Sequence, residues 1–315
     1  MKIVSVDLST LSEGDIDFSP LTALGDVEFY DVLSPEGLAH VAADAEALLV
    51  NKAAVDEKLL SRCKKLKYVA TYATGYNNID LAACRERGIT VCNAPGYSTN
   101  AVAQHVFALL LMFCGAVDKY SASVYRGDWK AAKTFSYMPW RTREVYGSTF
   151  GVYGYGSIGR AVAKIAEAFG MNVIVCTRTK PADCPYELVT SDEIFARSDF
   201  LSLHCPLTEQ TKGIVNVRTL SLMKNTAVLI NTARGGLVDE KALAEALNSG
   251  RIAGACADVL AAEPMAKDCP LFRAKNIIIT PHVAWVPSET RQRLVELVAE
   301  NLKCFINGNP KNVVD

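Results

Sequence analysis

The residues of this 315-residue chain best suited to chemistry are a glycine-rich loop and three side chains placed just past predicted strands. The loop is Gly154-Tyr155-Gly156-Ser157-Ile158-Gly159, whose G-x-G-x-x-G spacing is that of a loop cradling a dinucleotide pyrophosphate. Gly154 permits a tight turn, Gly156 lets a phosphate approach the backbone, and Gly159 lets the next helix pack closely on the strand. Ser157 and Ile158 then present N–H groups at a helix N-terminus, where partial positive charge collects. The three side chains are Arg234, in Asn231-Thr232-Ala233-Arg234-Gly235-Gly236, Glu263, shortly after Asp258-Val259, and His282, after Thr280-Pro281. Ligands gather at the carboxyl edge of open α/β sheets, so residues beyond three strand ends can converge on one crevice. An imidazole titrates near neutrality, a carboxylate can orient it, and a guanidinium suits a planar carboxylate.

The strand after the glycine loop ends in Thr177-Arg178-Thr179-Lys180. Loops that hold NAD carry an Asp or Glu about 20 residues beyond the glycines, on the ribose hydroxyls. Here no acid occurs between Glu167 and Asp183. An acid repels a 2′-phosphate, whereas Arg178, with Thr177 or Thr179, can grip one. NADP(H) is the favoured cofactor on this reading. NAD(H) remains open if Arg178 is only a solvated loop residue.

These groups need a scaffold. Strands are expected at Lys2–Val6, Asp26–Tyr30, Glu46–Val50, Lys67–Tyr72 and Ile89–Asn93, with helices over Pro35–Ala42, Val55–Arg62 and Ile79–Arg87 between them. A second series places strands at 149–153, 172–176, 199–203, 227–231, 252–257 and 276–280. Such alternation predicts α/β architecture with parallel sheets. Residues 100–117 read as one long buried helix, capped by Thr99 or Asn100. Asp239 caps another, and Ser288 is expected to cap the last. Residues 118–146 lack periodicity but mix aromatics with arginines, the composition of an arm that packs on a second subunit. A net charge of −1 gives no field for nucleic acid. The longest apolar stretch, Ala101–Val117, contains Gln104 and His105 and is too short and interrupted for a membrane span. Ten cysteines without a C-x-x-C pair fit free thiols in a reducing cytoplasm.

In order, the glycine loop, His204-Cys205-Pro206-Leu207-Thr208, Arg234, Asp258, Glu263 and His282 resemble the D-isomer-specific 2-hydroxyacid dehydrogenases, over essentially the whole chain. Ala73-Thr74-Gly75-Tyr76-Asn77-Asn78-Ile79-Asp80, Pro95-Gly96-Tyr97-Ser98-Thr99 with Ala103-Gln104-His105, and His282-Val283-Ala284-Trp285 resemble the glycerate dehydrogenases, or hydroxypyruvate reductases, within that family. The resemblance implies two doubly wound parallel-sheet domains. A Rossmann nucleotide domain, 99–285, is inserted into a flavodoxin-like substrate domain, 1–98 and 286–315; the arm read from composition is expected to join a homodimer through about 100–146. It implies reduction of a small 2-keto acid, such as hydroxypyruvate or glyoxylate, to D-glycerate or glycolate. His282 is then the acid, Glu263 its partner, and Arg234 the carboxylate grip and carbonyl polariser. Asp258 holds the nicotinamide carboxamide. Cys205, Pro206, Thr211, Thr232 and Ala233 line the cofactor, and main-chain N–H groups at Thr74 and Gly75 hold the substrate carboxylate. Lys52, after the third strand, and Trp285 are further substrate candidates. His204 is expected to shape the cofactor loop, His105 to be a satisfied core or interdomain residue, and His40 to lie on the surface. No metal ligand set is apparent. The alternatives are a dehydrogenase of another acid, such as 3-phosphoglycerate or lactate, and a nucleotide-sensing corepressor on the same fold.

Overall fold

The computed structural model describes residues 1–179 and 181–314; Lys180, the last residue of the Thr177–Lys180 segment, lies outside them. Contacts divide the chain into two compact units, Met1–Ser98 with Trp285–Asp315, and Thr99–Ala284.

In the first unit, strands β1 (Lys2–Ser5), β2 (Asp26–Phe29), β3 (Ala47–Val50), β4 (Tyr68–Thr71) and β5 (Thr90–Cys92) form a sheet in the order β2-β1-β3-β4-β5. Every pairing is parallel. This is the flavodoxin-like order. In the second unit, β6 (Thr149–Tyr153), β7 (Asn172–Cys176), β8 (Glu187–Leu188), β9 (Phe200–Leu203), β10 (Val228–Asn231), β11 (Gly254–Ala257) and β12 (Ile277–Ile279) give the order β12-β11-β10-β9-β6-β7-β8. All pairings are again parallel. This is the Rossmann order extended by one strand. Strands β3, β4, β9 and β10 are buried along their whole length, as sheets covered on both faces require.

Several local expectations need correcting. Residues 118–146 are not wholly irregular: a helix spans Val117–Tyr125. Ala116, at φ 48°, breaks it from the helix Thr99–Gly115. Its only buried residue is Ser123, so it has no core-facing stripe for a periodic pattern to reveal. The helix expected over Val55–Arg62 shrinks to Glu57–Leu60, because Asp56 caps it through the Leu59 N–H. Ser288 is the first residue of the last helix rather than its cap; Pro287 holds that position without a side-chain bond. Trp285 falls in the first unit, one residue earlier than expected, where its ring meets Tyr97 edge-on at 6.4 Å. The two-residue edge strand β8 was too short to show a pattern.

All ten cysteines are free. Among the described residues no single helix is long and apolar enough to cross a membrane, and no cluster of His, Cys, Asp or Glu could hold a metal ion.

Candidate active site

Because every strand of the larger sheet runs the same way, their carboxyl ends share one edge. Read from β12 to β7, that edge carries His282, Asp258, Arg234, His204-Cys205, the glycine loop and Thr177-Arg178. Gly154, at φ 101°, lies against the next strand end: a Cβ there would stand 2.5 Å from Cys205 N and 2.7 Å from His204 C. A Cβ on Gly159 would reach 2.1 Å from Gly154 O. At Gly156 a Cβ would meet nothing within 4 Å. Gly156 is also the N-cap of the helix Ser157–Ala168, and no side chain caps the first N–H groups of that helix there. Cys205 is buried and Pro206 exposed. Thr211 donates its hydroxyl to Pro206 O at 2.6 Å and accepts from Thr208 N–H, which ties the 206–211 loop. Thr177 is half-buried, and Arg178 and Thr179 are exposed. Burial pushes the His204 imidazole down to about 3, so it stands neutral beside Ser202, 2.9 Å away.

Beyond β10, Asn231 Oδ1 accepts from Ala233 N–H and Asn231 Nδ2 donates to Arg234 O. The Arg234 side chain is exposed. Gly235 allows this turn to press on the next loop, since a Cβ would lie 1.9 Å from Leu260 C. That loop is braced by Leu260 N–H donating to Glu263 Oε1 at 3.0 Å. The other Glu263 oxygen lies 2.7 Å from His282 Nδ1. An ionised carboxylate only accepts, so Nδ1 carries a proton and Nε2 is left to exchange one. His282 sits at φ 56°, an uncommon conformation for a residue with a Cβ. Asp258 clasps its turn. The Asp258 carbonyl accepts from His282 N–H at 2.8 Å, and its carboxylate accepts from Val283 N–H and Ala284 N–H at 2.9 Å each and from Thr280 Oγ1 at 2.6 Å. Burial alone would raise the Asp258 carboxyl, but donors from His105, Thr280, Ala284 and Val283 outweigh it and hold the group below the ordinary carboxylate range.

In the first unit, Lys52 is exposed past β3, on a loop whose Asn51, Lys52 and Ala53 N–H groups all donate to Asp7 Oδ2, at 2.7–2.9 Å. Thr74, past the neighbouring β4, donates its hydroxyl to Ala94 O. Among the described residues the N–H groups of Thr74 and Gly75 find no acceptor within the protein.

Residues 107–284 match the family model described as D-isomer specific 2-hydroxyacid dehydrogenase, NAD binding domain. The chain is 40% identical to a hydroxypyruvate reductase of Blautia hydrogenotrophica, with 100% of both chains covered. It is 41% identical to a glycerate dehydrogenase of Methylorubrum extorquens, over 91% of each. Among solved structures, an acyclic imino acid reductase in complex with NADPH and D-Arg superposes with a TM-score of 0.89 at 33% identity, covering 100% of both chains. The chain belongs to the D-isomer-specific 2-hydroxyacid dehydrogenase family.

This dehydrogenase therefore binds a nicotinamide cofactor, and its residues fit one. Gly156 leaves room for a pyrophosphate against uncapped N–H groups. Thr232 Oγ1 is buried at the same edge with no hydrogen-bond partner among the described residues, a state that normally signals a missing ligand or water. The structure brings Glu263 and His282 into direct contact and sets Arg234 on the neighbouring loop, held close by Gly235. Sequence reasoning missed Gly235 and Asp7. Gly235 stands directly beside Arg234 in a Gly-Gly pair that reads as an ordinary turn. Asp7 reads as the end of a first strand, and nothing in its local sequence points to residues 51–53.

Proposed function

We propose that this dehydrogenase reduces hydroxypyruvate or glyoxylate to D-glycerate or glycolate, with NADPH preferred. The Glu263–His282 hydrogen bond at 2.7 Å carries the reading: it fixes the imidazole tautomer and orients Nε2 to protonate a keto oxygen. The bound cofactor supplies the hydride. Arg234 grips the carboxylate and polarises the carbonyl as negative charge develops on its oxygen. In the first unit, the open N–H groups of Thr74 and Gly75, and the Lys52 ammonium, are the anion-binding candidates, and Trp285 the apolar one. Asp258 serves the nicotinamide end. Cys205, Pro206, Thr232 and Ala233 line the cofactor path, and Thr211 shapes that path rather than donating to the cofactor. Arg178 and its flanking threonines, at a strand end without an acid, support the NADPH preference. Exposed apolar side chains along 117–146, among them Tyr125 at 89% and Phe135 at 91%, support a homodimer packed through this arm.

Steady-state reduction of a panel of small 2-keto acids with both cofactors tests the reading. Hydroxypyruvate or glyoxylate should lead the panel. The ratio of kcat/KM for NADPH over NADH should be roughly tenfold or more, the value of one charge-assisted contact, and Arg178→Ala should erase it. A clear NADH preference would sink the cofactor assignment. His282→Ala should collapse turnover while cofactor affinity holds; near-normal kcat would overturn the acid. Sedimentation should give a dimer that Phe135→Glu weakens, and a wild-type monomer would sink the arm's role.

A further inference from the structure

His105 is a half-buried histidine that the proposed chemistry does not use. It lies two turns into the helix Thr99–Gly115, the first element after the chain leaves the first unit. Its Nε2 is 3.0 Å from Thr280 Oγ1 and 3.4 Å from Asp258 Oδ1. Thr280 has a single hydroxyl proton and gives it to Asp258 Oδ1 at 2.6 Å. Its oxygen can then only accept from His105, so His105 Nε2 carries the proton. The ring completes a chain of donors that ends on the carboxylate clasping residues 282–284. The clasped turn holds His282 at a positive φ and ends at Ala284, the last residue before the chain re-enters the first unit. A positive φ in a residue with a Cβ persists only where its surroundings over-determine it. Removing the outermost donor leaves a buried carboxylate and a half-buried hydroxyl short of a partner, and the turn is then free to relax.

We infer that His105 is a positioning residue for the reaction: through Thr280 and Asp258 it fixes the strained turn that aims His282. This rests on the reading of His282 as the acid. The dependence is mechanical, since an error near 1 Å in a reacting group costs up to about a hundredfold in rate.

The test uses the full-length enzyme. His105→Leu should lower kcat by roughly 10- to 100-fold, with NAD(P)H affinity within about twofold of wild type. His105→Gln, whose amide N–H can donate to Thr280 Oγ1, should recover most of that loss. Thr280→Val, which removes the bridging hydroxyl but keeps the side-chain shape, should reproduce the leucine variant and carries the test if that variant does not fold. Wild-type kcat in a folded His105→Leu enzyme overturns the inference, as does a glutamine variant no better than leucine. His282→Asn, assayed in parallel, separates the two ideas. An active His282→Asn sinks the acid assignment whatever His105 does, whereas an inactive one beside a normal His105→Leu sinks only the positioning role.

Discussion

Both units are doubly wound parallel sheets, and each therefore has a point where the strand order reverses and a crevice opens between neighbouring carboxyl ends. The two crevices are treated in opposite ways. Between β6 and β9 the chain withholds side chains. Gly154 fits flat against the His204-Cys205 backbone, and Gly156 leaves the space above the helix N-terminus empty. Between β1 and β3 the chain supplies its own anion, since the Asp7 carboxylate collects the N–H groups of Asn51, Lys52 and Ala53. Winding alone does not make a binding site. A glycine keeps one crevice available for a phosphate, and an aspartate turns the other into a mount for the loop that carries Lys52.

The comparison breaks most visibly if the open crevice is filled. Gly156 has φ −81° and free space around its missing Cβ, so Gly156→Val should fold and melt close to wild type. Its isopropyl group would occupy the pyrophosphate position, and NAD(P)H affinity should fall by roughly a hundredfold or more, about 2.7 kcal/mol. Gly159→Val is the contrast, because its Cβ meets Gly154 O at 2.1 Å and the loss should appear in Tm first. Normal cofactor titrations of Gly156→Val by fluorescence would show that the phosphate sits elsewhere.

Emptying the filled crevice should cost stability instead. Asp7→Ala leaves three inward-facing N–H groups without their acceptor. Each such loss costs about 1–3 kcal/mol before water enters, and a net destabilisation of roughly 2–4 kcal/mol is expected. A cluster of successive N–H groups is also an anion site, so inorganic phosphate should raise the Tm of Asp7→Ala more than that of wild type. An alanine variant as stable as wild type, and indifferent to phosphate, would mean that the carboxylate is not what closes this crevice.

The two crevices also differ in how far the sequence betrays them. The open one is written in six consecutive residues, because the positive-φ turn at Gly154 and the close approach at Gly159 are local demands that glycine meets, and Gly156 between them adds no side chain. The alternating strands, and Arg234, Glu263 and His282 just past three strand ends, are local in the same sense. The filled crevice is a long-range fact: Asp7 and its partners are more than 40 positions apart, and nothing near either segment announces the other. The same holds for His105, which is separated by 175 positions from Thr280 and reads in isolation as one polar residue on a buried helix. The helix Val117–Tyr125 escaped for a different reason. It turns almost nothing towards a core, and core-facing periodicity is the signal by which helices are read.

A smaller effect sharpens the contrast by pH. Just past β9, beside the open crevice, His204 is held neutral with its imidazole pushed down by burial from 6.5 to about 3. In the unfolded chain the same ring binds a proton below about 6.5, so between 6.5 and 3 the unfolded state holds more protons than the folded one. Stability is then complete above 6.5 and falls as pH drops through that window. The loss for this one group is roughly 2 kcal/mol by pH 5. His204→Gln keeps an amide within reach of Ser202 but does not titrate, so its Tm should fall less steeply between pH 7 and 5. Parallel curves for wild type and His204→Gln would show that burial does not hold this imidazole neutral.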